Sequence, residues 1–417
     1  MRILIATSRR GLLGGVEKYL QSVMPGLIQR GHSVGLLYEY SSNDSEPAID
    51  SEAGRLPSWC SQELGVSAVL RSLQTWAPDV VYSHGLDNSA LERSLLDLYP
   101  TVLYAHSYYG TCVSGRKCHA WPRLEPCARR FGAPCLALYY PRRCGGLNPE
   151  TMWQLYQLQS KRKSSLPDYQ AILVASRHMH GEFERHGVPA DRLHLVPLPI
   201  DHPLAGVAAP GPKALGSRIL FIGRLIDVKG VSHLLRAIPI AAGKLGRSLT
   251  LTIAGDGPER GSIQDLAGRL GLTVEFAGWV STGQRSELTR QADLVAVPSL
   301  WPEPFGMVGI EAGCFGVPAV GFAVGGIPDW LIPGQTGELA PGDPPTVEGL
   351  AGAMVRALAD PGHYRKLCLG AWEMSQRFSL ERHIGQLEPI LEAGRRIAHD
   401  HDSTSLASTG PIRGTKD

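Results

Sequence analysis

A chain of 417 residues exceeds one ordinary domain, and two domains of about 200 residues, each able to bury its own core, is the natural expectation. Hydrophobic residues at 43% and charged residues at 19% exclude collagen, coiled-coil and disordered compositions, and a formal net charge of +2 points to no class of partner. No apolar run approaches the ~18 residues of a membrane span, and the apolar part of Met1 to Ser8 is too short for a secretory signal, so a cytoplasmic chain with mostly reduced cysteines is expected.

The opening reads as strand, glycine loop, helix, strand. Ile3 to Ala6 is a buried-type apolar run, Gly11, Gly14 and Gly15 break it, and Val16, Tyr19, Leu20, Val23, Leu27 and Ile28 recur at helical spacing. Gly31 ends the helix and Val34 to Tyr38 follows, which completes one βαβ unit of a parallel sheet. Val80 to Ser83, Val102 to Ala105 and Ile172 to Ala175 are further buried-type strands. Five prolines among Ala and Gly mark residues 197–217 as a linker. Beyond it the alternation restarts: Ile219 to Ile222, a helix from about Gly230, Leu249 to Ala254, a helix from about Glu259, Val274 to Ala277, a helix near 283–291, and Leu294 to Val297. Helices around 345–359 and 381–397 close the fold, and the polar residues 399–417 read as a disordered tail. The fold class is therefore α/β, with two doubly wound Rossmann-like domains.

In open α/β sheets the ligand lies outside the carboxyl ends of the strands, so the residues just after each strand carry the chemistry. The strand Ile219 to Ile222 runs into Gly223-Arg224, with Lys229-Gly230 close behind. A planar guanidinium, a point charge and a helix N-terminus together suit a diphosphate. Taken alone, the pair is better read as solvated loop cations. After Leu294 to Val297 comes a Pro-rich loop holding Glu303, with Phe305 onward helical and Glu311 nearly two turns in. Two such carboxylates can accept hydrogen bonds from paired hydroxyls, one set on a sugar and one on a ribose. Spacing alone fits an exposed loop acid and a helix-surface acid equally well.

These segments, in this order, resemble the family 4 retaining glycosyltransferases, also called glycosyl transferases group 1, of the GT-B architecture. The resemblance spans both halves and is strongest over 219–343. It rests on Phe221-Ile-Gly-Arg224 with Lys229-Gly230, Ala254-Gly-Asp-Gly-Pro-Glu259, Phe276-Ala-Gly278, the Glu303 to Glu311 pair, Gly316-Val-Pro318, Gly325-Gly-Ile-Pro328, and Gly334 through Gly337 to Gly342-Asp343. In the first half, Gly14-Gly15-Val-Glu17 matches the family's acceptor-side loop, and His106 matches its active-site histidine.

The resemblance implies two domains facing a central cleft: an acceptor-side domain over 1–200, a donor domain over 201–378, and a helix over 379–398 returning toward the first domain. Arg224 and Lys229 would hold the donor diphosphate and stabilise the departing nucleotide, and Glu303 would bind hydroxyls of the transferred hexosyl unit. Gly223, Phe305 and Gly306 would offer backbone groups nearby, Glu311 would bind the ribose, and Gly15 would let the loop approach the phosphates. Gly14 and Glu17 fall on the acceptor side, and His106 would face the sugar from the first domain. The family usually works without a bound divalent metal, and its substrate is a nucleotide diphosphate sugar. Retention is implied by the family alone. No second carboxylate stands out as a partner to Glu303, so the two-carboxylate scheme of glycosidases is not required, and a front-face route is the reading adopted. Rivals are a nucleotide-sugar epimerase of the same fold and a silent nucleotide-sugar-binding subunit. The joint presence of Arg224, Lys229, Glu303, Glu311 and His106 argues against silence.

The chain departs from the family where His106-Ser107-Tyr108-Tyr109 stands in place of a histidine followed by an acid. An insert over about 107–147 carries Cys112, Cys118, Cys127, Cys135 and Cys144 together with His119. None is a C-x-x-C knuckle, and buried thiols, a structural zinc and disulfides all remain open. From Arg116 to Lys163 ten Lys or Arg stand against two Glu. Such a run is usually a solvated face, but on an acceptor-side domain it also suits a phosphorylated or lipid-linked acceptor at the inner membrane face. It lacks any nucleic-acid reader motif.

Overall fold

The computed structural model describes residues 1–11, 14–41, 48–50, 56–200, 211 and 214–406. In the first half the strands are β1 (Arg2–Arg9), β2 (Ser33–Tyr40), β3 (Ser58–Cys60), β4 (Val80–Ser83), β5 (Thr101–Ala105), β6 (Cys118–His119), β7 (Glu125–Pro126), β8 (Ala171–Val174) and β9 (Leu193–Leu195). The seven-stranded sheet runs β3-β2-β1-β4-β5-β8-β9, every pair parallel, while β6 and β7 form a separate antiparallel hairpin. In the second half β10 (Arg218–Ile222), β11 (Thr250–Ala254), β12 (Val274–Gly278), β13 (Leu294–Val297), β14 (Ala319–Phe322) and β15 (Gly337–Ala340) form a parallel sheet ordered β12-β11-β10-β13-β14-β15. Two parallel α/β sheets match the fold class read from the sequence.

Both sheets reverse their strand order beside their first strand, between β1 and β4 and between β10 and β13. Those two reversals are the crevices where an open sheet receives a ligand. The strands are buried on both faces, which is why they read as continuous apolar runs rather than alternating ones.

The helix Gly15–Gln29 buries Tyr19, Leu20, Val23, Met24 and Leu27, the helical-period positions of the sequence. Its partner is the last helix, Leu380–Leu406, which contributes Ile384, Leu387 and Leu391 to the same core. A Cβ on Gly26 would lie 2.1 Å from the Ile384 side chain, so this helix crossing needs a glycine there. The pairing is reinforced by Arg30 with Glu388 at 2.8 Å.

Several sequence expectations are corrected. The last helix continues to Leu406 and takes in 399–406, which were read as tail; 407–417 lie outside the described residues. The helix after Glu303 begins at Met307 rather than at Phe305, because Gly306 is left-handed at φ 85°, and Glu311 lies in its second turn. A helix at Pro361–Ser375 follows Val347–Leu358 and was not read from the sequence. Most of the proline-rich stretch at 197–217 lies outside the described residues.

Candidate active site

At the β10–β13 crevice, the loop after β10 carries Gly223, exposed Arg224 and Lys229, and the loop after β13 carries Glu303. The two loops touch at Gly230. It is left-handed at φ 67°, and a Cβ there would lie 2.0 Å from the Pro298 carbonyl oxygen, so only glycine lets the chains meet this closely. That contact brings the Lys229 ammonium onto the Glu303 carboxylate, which also accepts from Ser299 Oγ at 2.5 Å.

Glu303 is 7% exposed. Burial opposes its charge, but the field and hydrogen bond of Lys229, with that of Ser299, prevail and hold its pKa below the ordinary value. On its far side the Glu303 backbone oxygen accepts from Gly326 N–H at 2.7 Å. A Cβ on Gly325, which is left-handed at φ 56°, would lie 2.2 Å from that same oxygen. The Glu303 backbone is thus held by the two glycines of the Gly325-Gly326 segment. Arg224 is exposed and makes no side-chain hydrogen bond or ion pair among the described residues.

Phe305 is buried and its carbonyl accepts from Trp330 Nε1 at 2.7 Å, while Gly306 caps the helix Met307–Gly313. Glu311 forms an ion pair with Arg285 of the helix Thr282–Gln291. Lys18, in the first turn of the helix Gly15–Gln29, has its pKa lowered by burial and then by Arg285. The N-terminal turn with Gly14, Gly15 and Glu17 thus lies within electrostatic reach of Arg285, the partner of Glu311. Gly14 and Gly15 are exposed, and Glu17 is buried.

His106 follows β5 at the first sheet's crevice and meets residues the sequence reading did not select. Its Nε2 lies 2.9 Å from His84 Nδ1, directly after β4. Its ring is edge-on to Tyr19 at 5.1 Å. Tyr19 Oη contacts Tyr82 Oη at 2.5 Å and His383 Nε2 at 2.8 Å, and His383 Nδ1 lies 2.8 Å from the Pro197 carbonyl. A carbonyl only accepts, so neutral His383 donates from Nδ1 and accepts Tyr19 O–H at Nε2, which leaves Tyr82 to donate to Tyr19. Burial, then His383, pushes the His106 imidazole down to about 3. Burial pushes His383 down to about 4 and His84 well below its ordinary value. Near neutral pH all three rings are uncharged hydrogen-bonding groups. His84 could have been found by the rule that selected His106, since it too is the first residue past a strand.

The two crevices are joined. Tyr108 Oη donates to the Pro302 carbonyl at 2.5 Å, linking the chain just past His106 to the residue before Glu303. Arg116 of the cysteine insert grips Asp227, between Arg224 and Lys229, at 2.6 and 2.7 Å. The structure thus gathers Arg224, Lys229, Glu303, Glu311, His106 and the Gly14–Gly15 turn around one interdomain region. The cysteines form a separate cluster in the insert. No helix among the described residues is long and apolar enough to cross a membrane.

Residues 213–369 match the family Glycosyl transferases group 1, and residues 13–203 match Glycosyltransferase Family 4. The chain is 33% identical over 198 residues to a glycogen synthase of Mycobacterium tuberculosis, covering 46% of each chain. It is 34% identical over 205 residues to a D-inositol 3-phosphate glycosyltransferase of Salinispora arenicola, covering 46% of this chain and 44% of the relative. The matched region thus spans about half the length of these curated relatives. The structure of HepE from Anabaena solved with UDP and glucose superposes with a TM-score of 0.66 at 20% identity, covering 94% of this chain and all of that one. The lipopolysaccharide outer core galactosyltransferase WaaB gives 0.64 at 16% identity, over 94% of this chain and 99% of that one. With one family matching each half and GT-B structures superposing along nearly the whole chain, this protein belongs to the group 1, family 4 glycosyltransferases and has the GT-B fold.

Proposed function

We propose that this chain is a retaining glycosyltransferase that moves a hexosyl unit from a nucleotide diphosphate sugar to an acceptor hydroxyl. The observation that carries the reading is the Lys229–Glu303 pair at the β10–β13 reversal, with exposed Arg224 in the same loop as Lys229 and unpaired among the described residues, and with His106 joined to the pair through Tyr108 and Pro302. Arg224 and Lys229 bind the diphosphate and neutralise the charge that grows on the leaving nucleotide. When phosphate draws Lys229 toward itself, Glu303 is freed to accept sugar hydroxyls. Glu311 takes the ribose, with Arg285 as its partner in the absence of ligand, and the first-helix turn at Gly15 admits the phosphates. Neutral His106 donates or accepts a hydrogen bond at the sugar without adding positive charge. The diphosphate is stabilised by these side chains, and the donor is substrate, not resident cofactor. The similar HepE structure, solved with UDP and glucose, supports the donor class.

The acceptor reading is a glycan or a lipid-linked sugar. Its support is the basic 116–163 region, where Trp121, Tyr140, Leu147 and Trp153 are exposed and Arg143 lies 5.1 Å over the Trp121 ring. Exposed aromatics with basic residues suit the interface of an anionic membrane.

Calorimetry with nucleoside diphosphates and their sugars tests the donor. Tight binding of a diphosphate, weak binding of the monophosphate and none of the nucleoside is the expected order. Turnover with a panel of acceptors, followed by NMR of the anomeric proton, tests transfer and retention. Release of an epimerised nucleotide sugar without acceptor would instead favour the epimerase. Sedimentation with vesicles containing phosphatidylglycerol, compared with neutral vesicles, tests the membrane face.

A further inference from the structure

From Cys112 to Cys144 the chain holds only a hairpin of two-residue strands and the helix Pro134–Tyr139. Its own buried apolar core is Val113, Phe131 and Tyr139. A segment this small buries too little apolar surface to hold one conformation by packing alone, and such segments are ordinarily stapled by disulfides or metal. Its cysteines are all free thiols. One external anchor is the ion pair between Lys117 and Glu182, each at most 2% exposed.

The five cysteines come from separate stretches of the insert, yet all five line one cavity of about 30 Å³ together with His119. The cavity has room for more than one water-sized body, each of which takes roughly 10–15 Å³. His119 Nδ1 is 3.6 Å from Cys144 Sγ. The chain's other three cysteines lie in the main cores of the two domains. Convergence of the insert's whole sulfur content on one void is not what five independent core thiols produce. Among the described residues, no group of three or more His, Cys, Asp or Glu is already gathered as the ligand set of an ion. The thiols surround a void. Either they turn inward about their side-chain torsions onto a single ion, or a larger metal–sulfur group fills the space.

We propose that the insert binds a metal centre through cysteine thiolates of this cavity. Soft sulfur donors in such number select zinc or an iron–sulfur cluster over hard cations. Each ligating thiol gives its proton to solvent as the metal–sulfur bond forms. The centre's role is structural: it fixes the β6–β7 hairpin, and with it Arg116, two residues before Cys118, which holds Asp227.

The test is made on the full chain, purified without oxygen or chelator, by elemental analysis, acid-labile sulfide assay and visible absorption. About one zinc per chain without sulfide, or iron with matching sulfide and a visible charge-transfer band, is the supporting result. The Cys118→Ser, Cys144→Ser double variant then loses most of that metal. Should it not fold, the wild-type chain serves: chelation releases the metal and uncovers thiols that react in the still-folded protein. The proposal is overturned by wild-type protein with metal near zero and all five insert thiols reactive on unfolding, or by a folded double variant whose metal content is unchanged.

Discussion

Arg116, carried by the cysteine insert of the first domain, holds Asp227 in the loop after β10 of the second through two hydrogen bonds of 2.6 and 2.7 Å. One guanidinium nitrogen of Arg116 donates to both carboxylate oxygens and so ties down the loop between Arg224 and Lys229 from the other domain. A third to a half of each side chain is exposed, so solvent screens the pair and its stabilisation is about 0.5–1 kcal/mol.

Arg116→Ala is therefore expected to raise the donor KM roughly two- to fivefold and leave the fold intact. The exchange Arg116→Asp with Asp227→Arg should recover part of the loss, whereas either change alone should not. Equal donor KM in wild type and both single variants would remove the insert from donor binding.

Arg224→Ala and Lys229→Ala should each lower turnover by roughly two orders of magnitude, about 2.7 kcal/mol of lost transition-state stabilisation. The two differ in stability. Arg224 has no side-chain partner to strand among the described residues, but removing Lys229 leaves Glu303 buried without its cation, at a cost of roughly 1–3 kcal/mol. Denaturant titration of the two variants separates these effects.

Glu303→Gln should damage turnover more than binding of free nucleotide, because the carboxylate is assigned to the sugar. Glu311→Gln should weaken the nucleotide itself. Calorimetry with the nucleoside diphosphate beside steady-state kinetics distinguishes them, and equal loss of nucleotide affinity in both would contradict the assignment.

The histidine cluster sets an acid limit on stability. His84, His106 and His383 all have folded pKa values pushed down, so the unfolded chain binds more protons than the folded one below about 6.5. Their contribution is fully present above that pH and is lost as pH falls toward 4. Replacing His84 or His106 with Gln should each make the fall in unfolding free energy between pH 6.5 and 4 shallower by about one proton. An unchanged slope would mean that these rings are solvated and titrate normally.

Much of this was legible along the chain. The parallel strands are short continuous apolar runs because both faces are covered, and Leu294 to Val297 begins and ends where it was read. Residues just past strand ends could be named as candidates because a doubly wound sheet exposes those positions whatever the side chains elsewhere. Less legible were elements whose signal is weak: the two-residue strands of the insert carry no periodicity, and the left-handed Gly306 shifted the start of the following helix.

By itself, then, the sequence determined the two sheets and the residues at their carboxyl ends, since hydrophobic period and glycine placement are local properties. Only the tertiary structure decided the pairings: Lys229 on Glu303, Arg285 on Glu311, His84 on His106, His383 on Tyr19, Arg116 on Asp227, and five cysteines around one cavity. Tyr19 and His383 are 364 positions apart, and no local pattern encodes such a contact. It arises when two independently patterned sheets and a returning helix bury their apolar faces together, and the polar groups caught between them must find partners or remain costly to bury.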